Sequence, residues 1–176
     1  MREFELSILD WIQLHLRSEV MDQIMVTVTR FGNSGIGLIA VIILLLAIPK
    51  TRKVGTLLAI SLIIEAVICN LVLKTAFGRI RPYEYRDGLV LLINKPIDTS
   101  FPSGHTGAAF SFVSALFFSK NKWWIPAFVV AASIAFSRLY LYVHFPTDIL
   151  GGILVGILGG YLGNLIVTKR EKANNI

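Results

Sequence analysis

The chain of 176 residues is poor in charged side chains and in cysteine. Only 16% of its residues are charged, against 55% that are hydrophobic, and the mean hydropathy is +0.69. A soluble domain of this size would expose too much apolar surface to water, so we expect an integral membrane protein. The single cysteine, Cys69, excludes an intrachain disulfide and a cysteine-based metal site.

Two further features are missing. The first apolar stretch lacks the basic start that is typical of a cleaved signal peptide. The net charge of +6 is not concentrated in a soluble basic patch, which argues against a nucleic-acid partner. Anionic membrane lipids, or a substrate that carries phosphate, account for the positive charge better.

Long apolar segments dominate the rest of the chain. Each of five segments is close to the ~20 residues that a helix needs to cross a bilayer. They cover residues 32–49, 54–73, 103–119, 123–143 and 147–167. Five such runs in one chain favour membrane spans over the buried helices of a soluble core. We therefore predict an all-α fold, a polytopic transmembrane helix bundle with five firm spans.

The N-terminal region has a different pattern. Residues 5–17 alternate leucine and isoleucine with acids and amides, which predicts an amphipathic helix on the membrane surface. Residues 18–31 mix Asp22 and Arg30 with methionine and valine, and either an interfacial helix or a sixth span fits them. We divide the chain into an N-terminal amphipathic region (1–31), a transmembrane domain (32–170) and a cytoplasmic tail (171–176).

Basic residues between the spans predict the orientation. Five crossings place three basic clusters on one side of the membrane, which the positive-inside rule makes the cytoplasm. The clusters are Lys50, Arg52 and Lys53; Lys120 and Lys122; and Lys169, Arg170 and Lys172. The loop of residues 78–102 and the turn at 144–147 then face the exterior of a multi-pass cell-membrane protein. A loop of this length is uncommon unless it is functional.

Of three informative motifs, the first supplies cations and the second supplies a helix start. In KTAFGRIRP, Lys74 and Arg81 lie seven residues apart, about two helical turns, so they can share a helix face before Pro82. In PSGH, Ser103 and Gly104 stand where the third span begins. A helix N-terminus there would point free backbone N–H groups at an anion.

The third motif, SRLYLYVHFPTD, places an acid close to a histidine. Arg138 precedes His144 by six residues, and Asp148 follows it by four. Pro146 fits the first turn of a helix, which puts Asp148 just inside that helix. A carboxylate there can accept a hydrogen bond from one nitrogen of His144 and leave the other nitrogen free for attack.

The three motifs together suggest a phosphate site. Lys74, Arg81 and Arg138 supply three cations for a dianionic phosphate, and His105 would lie beside it. Taken singly, each histidine fits a helix cap or an interfacial group, and the cations fit snorkelling side chains. Two histidines with Asp148 could bind a metal, but three nearby cations would repel it, so we expect no metal or other cofactor.

The motifs resemble the signatures of the type 2 phosphatidic acid phosphatase superfamily. The matching residues are Lys74–x6–Arg81–Pro82, Pro102–Ser103–Gly104–His105 and Ser137–Arg138–x5–His144–x3–Asp148. All three occur in order and without departure, and the hydrophobic layout is similar to that of small bacterial members. This resemblance implies a metal-independent membrane lipid phosphatase, in a family that usually has six membrane helices.

The resemblance also implies a role for each matching residue. His144 would attack phosphorus and form a phosphohistidine while Asp148 holds it, and His105 would protonate the leaving oxygen and then activate water. The residues that would bind the phosphate are Lys74, Arg81, Ser103, Gly104 and Arg138.

The motifs indicate a site that binds a phosphate group, but they do not indicate which lipid carries it. Undecaprenyl pyrophosphate, phosphatidylglycerol phosphate and phosphatidic acid therefore stay open as substrates, and an exterior site favours the first. A second interpretation is a vanadium-dependent haloperoxidase, since these enzymes have a similar phosphate-binding site. They are soluble, however, and the five apolar segments argue against this interpretation. A lipid transporter or scramblase would place its polar groups near the membrane midplane instead of at one face.

Two features inside the spans have more than one interpretation. Glu65 is an intramembrane acid, which indicates structural hydrogen bonding, substrate contact or proton handling. Gly152, Gly156 and Gly160 recur at every fourth residue, a spacing typical of close helix packing. The same stripe could form the face of a homodimer.

Overall fold

The computed structural model describes residues 1–32 and 35–174, and within these residues the regular structure is helical, with no strand. The α-helices are α1 (Arg2–His15), α2 (Glu19–Gly32), α3 (Ile36–Ala47), α4 (Arg52–Ala66), α5 (Lys74–Phe77), α6 (Gly104–Phe118), α7 (Trp124–Tyr140) and α8 (Pro146–Asn174). The prediction of an all-α fold is confirmed for this part of the chain.

A change of helix type carries the chain from α4 to the first motif. The π-helical segment Val67–Leu73 connects α4 to α5, and such wide turns occur frequently at functional sites. Gly78 ends α5 with a φ of +54°, a left-handed conformation that glycine adopts without a steric penalty. The chain then runs through a short 3₁₀ turn at Pro82–Tyr85. Gly78 thus releases Arg79 and Arg81 from the helix.

Two helical stretches are long and apolar enough to cross a bilayer. They are Arg52–Tyr85, with 34 residues, and Pro146–Ala173, with 28. The other three predicted spans form apolar helices of 12, 15 and 17 residues, namely α3, α6 and α7. These are shorter than the ~20 residues of a full crossing. Length and composition therefore support two of the five predicted spans, and the other three remain predictions.

The outer surface of the helices is apolar. Large hydrophobic side chains such as Ile43, Ile63, Val129 and Leu154 are exposed, each by 60% or more. Soluble monomers rarely expose apolar patches of this extent, so the surface suits contact with lipid. In contrast, α6 is central, and every side chain from Thr106 to Leu116 is buried.

The glycine stripe of α8 packs against α6 of the same chain. A Cβ atom on Gly152 would come within 2.6 Å of the carbonyl oxygen of Ser103. One on Gly156 would come equally close to the carbonyl oxygen of Gly107, and Gly160 also faces α6. Close helix packing is therefore the structural use of the stripe. These glycines are not available to a second copy of the chain, which removes the surface assigned to the homodimer.

The N-terminal helices pack on the segment that joins α7 to α8. Leu6, Leu9 and Ile12 of α1 are buried in one apolar cluster with residues 140–143 and Phe145. The second helix, α2, packs against α7. The amphipathic pattern of residues 5–17 thus produces a helix whose apolar face covers the segment that carries His144.

Candidate active site

One cavity of about 450 Å³ brings the three motifs together. Helix ends and loops supply its walls: α5 and the following loop carry the first motif, the start of α6 the second, and the α7–α8 connection the third. The predicted site residues that line the cavity are Lys74, Arg81, Gly104, His105, Arg138 and His144. Ser103 and Asp148 lie behind its wall and are fully buried.

His144 has one ring nitrogen towards an acid and the other towards a cation. Its Nδ1 lies 3.5 Å from Oδ2 of Asp148, within ion-pair distance but without the geometry of a hydrogen bond. Its Nε2 lies 3.3 Å from Nη1 of Arg81. Because a guanidinium can only donate, this contact assigns Nε2 as the acceptor and places the proton on Nδ1. The nitrogen that faces Arg81 therefore carries the free lone pair.

The charge state of His144 follows from its burial. Burial lowers the pKa of His144 to about 4, an effect that Asp148 opposes and the positive charge of Arg81 reinforces. The imidazole is therefore neutral at pH 7, which a nucleophilic nitrogen requires.

Asp148 is held by groups on three sides. Its Oδ2 accepts hydrogen bonds from the hydroxyl of Ser100 and from the backbone N–H of Phe145, the latter at 2.8 Å. Its Oδ1 accepts from Nη1 of Arg79 at 2.6 Å. As predicted, Asp148 lies in the first turn of α8, which begins at Pro146.

A network that the sequence did not reveal extends from Asp148 to α1. Arg79 donates through Nη1 to the hydroxyl of Thr147 and through Nη2 to Oε2 of Glu5, both at 2.6 Å. Glu5 Oε1 accepts from the N–H of Thr147 at 3.0 Å. The guanidinium of Arg79 also lies 4.0 Å from the ring centre of Phe145. The buried Glu5 therefore ties the N-terminal helix to the residues around Asp148.

Asp98 forms ion pairs with Lys74 and Arg81 of the first motif. Arg81 Nη2 donates to Oδ1 of Asp98 at 2.6 Å and its Nε donates to the Asp98 carbonyl at 2.8 Å, while Lys74 pairs with Oδ2. Burial alone would raise the pKa of Asp98, but the hydrogen bond from Lys74 and the charge of Arg81 outweigh it and lower that pKa to about 2. A carboxylate thus stands where these cations would meet a phosphate.

A residue of the second motif caps the start of α6. Ser103 is the N-cap, and its hydroxyl accepts hydrogen bonds from the N–H and the hydroxyl of Thr106. The O–H of Ser103 still has its own proton to donate, so the phosphate contact by this hydroxyl stays a prediction. Gly104 does line the cavity, and a Cβ there would lie 3.8 Å from Nζ of Lys74.

Arg138 is buried with spare capacity to bind an anion. Its Nη1 donates to the hydroxyl of Thr29 on α2. Its Nε is buried and has no hydrogen-bond partner among residues 1–32 and 35–174. Buried donors are normally satisfied, so an anion in the cavity is the partner that this side chain fits. His105, in the first turn of α6, lines the same cavity.

Glu65 lines a second cavity that adjoins the first. This cavity of about 500 Å³ shares Lys74, Asp98 and His105 with the first and is walled by apolar residues of α3 and α4. Glu65 is buried, and its Oε1 has no hydrogen-bond partner in the described part of the chain. Its position therefore leaves both structural and substrate-related roles open.

The family assignment follows from a match over most of the chain. Residues 52–172, which contain all three motifs, match the family described as the PAP2 superfamily. This chain belongs to that superfamily. The resemblance inferred from the motifs is thereby confirmed.

Two PAP2 relatives of this chain are both named undecaprenyl-diphosphatases. An undecaprenyl-diphosphatase of Sulfolobus acidocaldarius is 34% identical over 137 residues, which are 77% of this chain and 66% of that protein. The undecaprenyl-diphosphatase BcrC of Bacillus subtilis is 31% identical over 145 residues, which are 82% of this chain and 74% of that protein. This chain thus spans about two thirds to three quarters of their length.

Two solved PAP2 structures have the same fold. LpxE of Aquifex aeolicus superposes with a TM-score of 0.76 at 29% identity, covering 90% of this chain and 93% of LpxE. A transmembrane phosphatidylglycerolphosphate phosphatase of Bacillus subtilis gives a TM-score of 0.77 at 26% identity, covering 95% and 86%. The helix arrangement described above is therefore that of a PAP2 membrane phosphatase.

Proposed function

We propose that the protein is an integral membrane lipid phosphatase that acts through a phosphohistidine intermediate. The observation that carries this proposal is the setting of His144. Its Nε2 faces Arg81 in the cavity, while Asp148 lies behind Nδ1. That arrangement presents a neutral nucleophile to a group that the cations would hold.

In the first step, the phosphate of the lipid binds between Lys74, Arg81 and Arg138, with the N-terminus of α6 beside it. His144 Nε2 attacks phosphorus, so a P–N bond forms as the bond from phosphorus to the lipid oxygen breaks. His105 donates a proton to that oxygen, and the lipid leaves. The fixed cations stabilise the charge that develops on the transferred group.

In the second step, water replaces the histidine. His105, now unprotonated, accepts a proton from the water, and the water oxygen bonds to phosphorus as the P–N bond breaks. Inorganic phosphate leaves and His144 is restored. Each charge in this sequence is balanced by a side chain of the protein, so we expect activity to persist in excess EDTA.

Undecaprenyl pyrophosphate is the substrate that we favour. Two relatives are named undecaprenyl-diphosphatases, although others are named phosphatidylglycerophosphatase B and lipid A 4'-phosphatase. A phosphatidylglycerol phosphate or phosphatidic acid phosphatase is the alternative. A lipid transporter or scramblase fits less well, because the cations and histidines gather at helix ends and not along a path between helices.

We place the site on the extracytoplasmic face of the cell membrane, within a bundle of five spans flanked by the N-terminal region 1–31. The basic clusters at the opposite helix ends support this orientation. A cysteine at Asp87, in a chain with Cys69 replaced, should react with an impermeant maleimide on intact cells. Reaction only after lysis would reverse the orientation.

A panel of lipids tests the proposed activity. The purified protein is assayed in detergent with EDTA against a polyprenyl diphosphate, phosphatidylglycerol phosphate and phosphatidic acid, with His144→Ala as the control. We expect phosphate release from at least one lipid and the highest kcat/KM for the diphosphate. Release that is equal in the control, or that requires added metal, would overturn the mechanism.

A further inference from the structure

A fourth cation outside the three motifs lines the cavity. Arg30 lies in the last turn of α2, and its side chain is exposed and forms part of the wall near Lys74, Arg81 and Arg138. The preceding residue, Thr29, accepts a hydrogen bond from Arg138. The α2 helix is therefore positioned against the phosphate site through two consecutive residues.

No carboxylate of residues 1–32 and 35–174 pairs with Arg30. Within these ranges its side chain forms no ion pair and no hydrogen bond. Three other cations around the cavity have carboxylate partners: Lys74 and Arg81 share Asp98, and Lys95 pairs with Glu84. Arg138 is bonded to Thr29 and is one of the three cations assigned to the first phosphate. An exposed guanidinium that faces an anion-binding cavity without a carboxylate is suited to a second anionic group of the ligand.

The size of the cavity also exceeds what one phosphate needs. Lys74, Arg81 and Arg138 already match one dianionic phosphate, and a single tetrahedral group fills only part of the volume of about 450 Å³. We propose that Arg30 binds the phosphate next to the lipid when the substrate is a lipid diphosphate. This inference rests on the proposed phosphatase function and assigns it a substrate class.

The chemistry gives Arg30 a specific task. His144 attacks the terminal phosphorus, and the bond from that phosphorus to the bridging oxygen breaks. The bridging oxygen departs with the inner phosphate as a lipid monophosphate, taking a proton from His105. A guanidinium beside the inner phosphate stabilises the negative charge on this leaving group, whereas a lipid monophosphate substrate offers it no such group.

A cation in the last turn of a helix also stabilises that helix, so the test has to separate the two roles. Lys95 is the matched control. It lines the same cavity, but it pairs with Glu84 at 3.1 Å and lies 4.9 Å from the ring centre of Tyr83. Its charge is already balanced, and its removal should not distinguish between substrates.

The experiment compares farnesyl diphosphate with farnesyl monophosphate. For Arg30→Gln, the ratio of kcat/KM for the diphosphate to that for the monophosphate should fall about tenfold, the effect of one charge-assisted hydrogen bond. Arg30→Lys should restore part of the ratio, and Lys95→Gln should leave it within about twofold, since exposed ion pairs contribute little.

Three results would be decisive against the inference. An equal fall of kcat/KM for both substrates in Arg30→Gln would show a structural role of α2, and values of kcat/KM that stay unchanged for both substrates would show no role. If the unaltered protein releases phosphate from neither compound nor from other lipid phosphates, the proposed function itself fails and the inference falls with it.

Discussion

The wall of the cavity that carries His144 and the wall that carries Lys74 are bonded in different ways. Behind His144, Asp148 is fully buried and is held by Arg79, whose other hydrogen bonds reach Glu5 on α1. Around Lys74, the balancing charge comes from Asp98, whose side chain is 47% exposed and stands in a loop. The wall that carries His144 is therefore bonded to buried acids, whereas the wall that carries Lys74 is bonded to a partly exposed acid.

In the proposed mechanism the two walls have different tasks. His144 keeps its orientation through both steps, and the acids that support it, Asp148 and Glu5, are buried. The cations release the carboxylate of Asp98, or share it, when a phosphate binds. A partner in an exposed loop can do so with little disturbance of the packed helices.

The largest effect should come from removing the proposed nucleophile. His144→Ala should lower kcat by about 10³-fold or more and abolish an acid-labile phosphoenzyme, because both proposed steps pass through Nε2. His105→Ala should retain relatively more activity on an aryl phosphate, whose leaving group needs little protonation. Phosphate release and trapped radiolabelled phosphate measure both. A normal phosphoenzyme level in His144→Ala would rule out the assigned nucleophile.

The buried network should give the next largest effect. Glu5→Gln weakens the hold on Arg79 and hence on Asp148, and we expect kcat to fall about 10- to 100-fold with a smaller change in KM. Glu3→Gln, on the same helix but with a side chain that is 72% exposed, is the control and should be nearly silent. Equal kinetics in the two variants would show that α1 does not position the acid.

A change in the wall that carries Lys74 should strengthen the binding of a phosphate analogue. Asp98→Asn removes the carboxylate that competes for Lys74 and Arg81, so the inhibition constant of vanadate should fall about tenfold. Asp87→Asn, an exposed acid in the same loop, serves as the control. Since the pKa of Asp98 is about 2, the effect should persist between pH 5 and 8. Weaker inhibition in Asp98→Asn would mean that the carboxylate helps to build the site.

The smallest expected effect is on stability, through the protonation of His144 in the protein without bound phosphate. Its pKa of about 4 lies below the unfolded value of 6.5, so the unfolded chain binds the extra proton between these values. The stability contributed by neutral His144 is thus complete above pH 6.5 and is lost as the pH falls towards 4. An NMR titration, with His144→Gln to assign the resonance, should give a midpoint near 4. A midpoint near 6.5 would contradict the burial argument.

Local sequence patterns were sufficient for the helices and for most of the site. Apolar runs place α3, α6 and α7 within about four residues of their observed bounds, because the pattern reports which stretches are buried in lipid or protein. They also locate α4 and α8, although α4 ends at Ala66 and α8 continues to Asn174. The spacing of Arg138, His144 and Asp148 crosses a single turn between two helices, so their proximity follows from short-range geometry. The structure gathers the three motifs in one cavity, as the sequence predicts.

Only the tertiary structure decided which side chains support that site. Glu5 and Thr147 are 142 residues apart in the chain, and Thr29 and Arg138 are 109 apart, so no periodicity links them. The structure also shows that the hydroxyl of Ser103 caps α6, a role that the sequence did not separate from the predicted phosphate contact because both call for a hydroxyl at the helix start. Local pattern and residue chemistry were enough to predict the helices and the candidate site residues. Their partners depended on packing between distant helices, which a local pattern does not record.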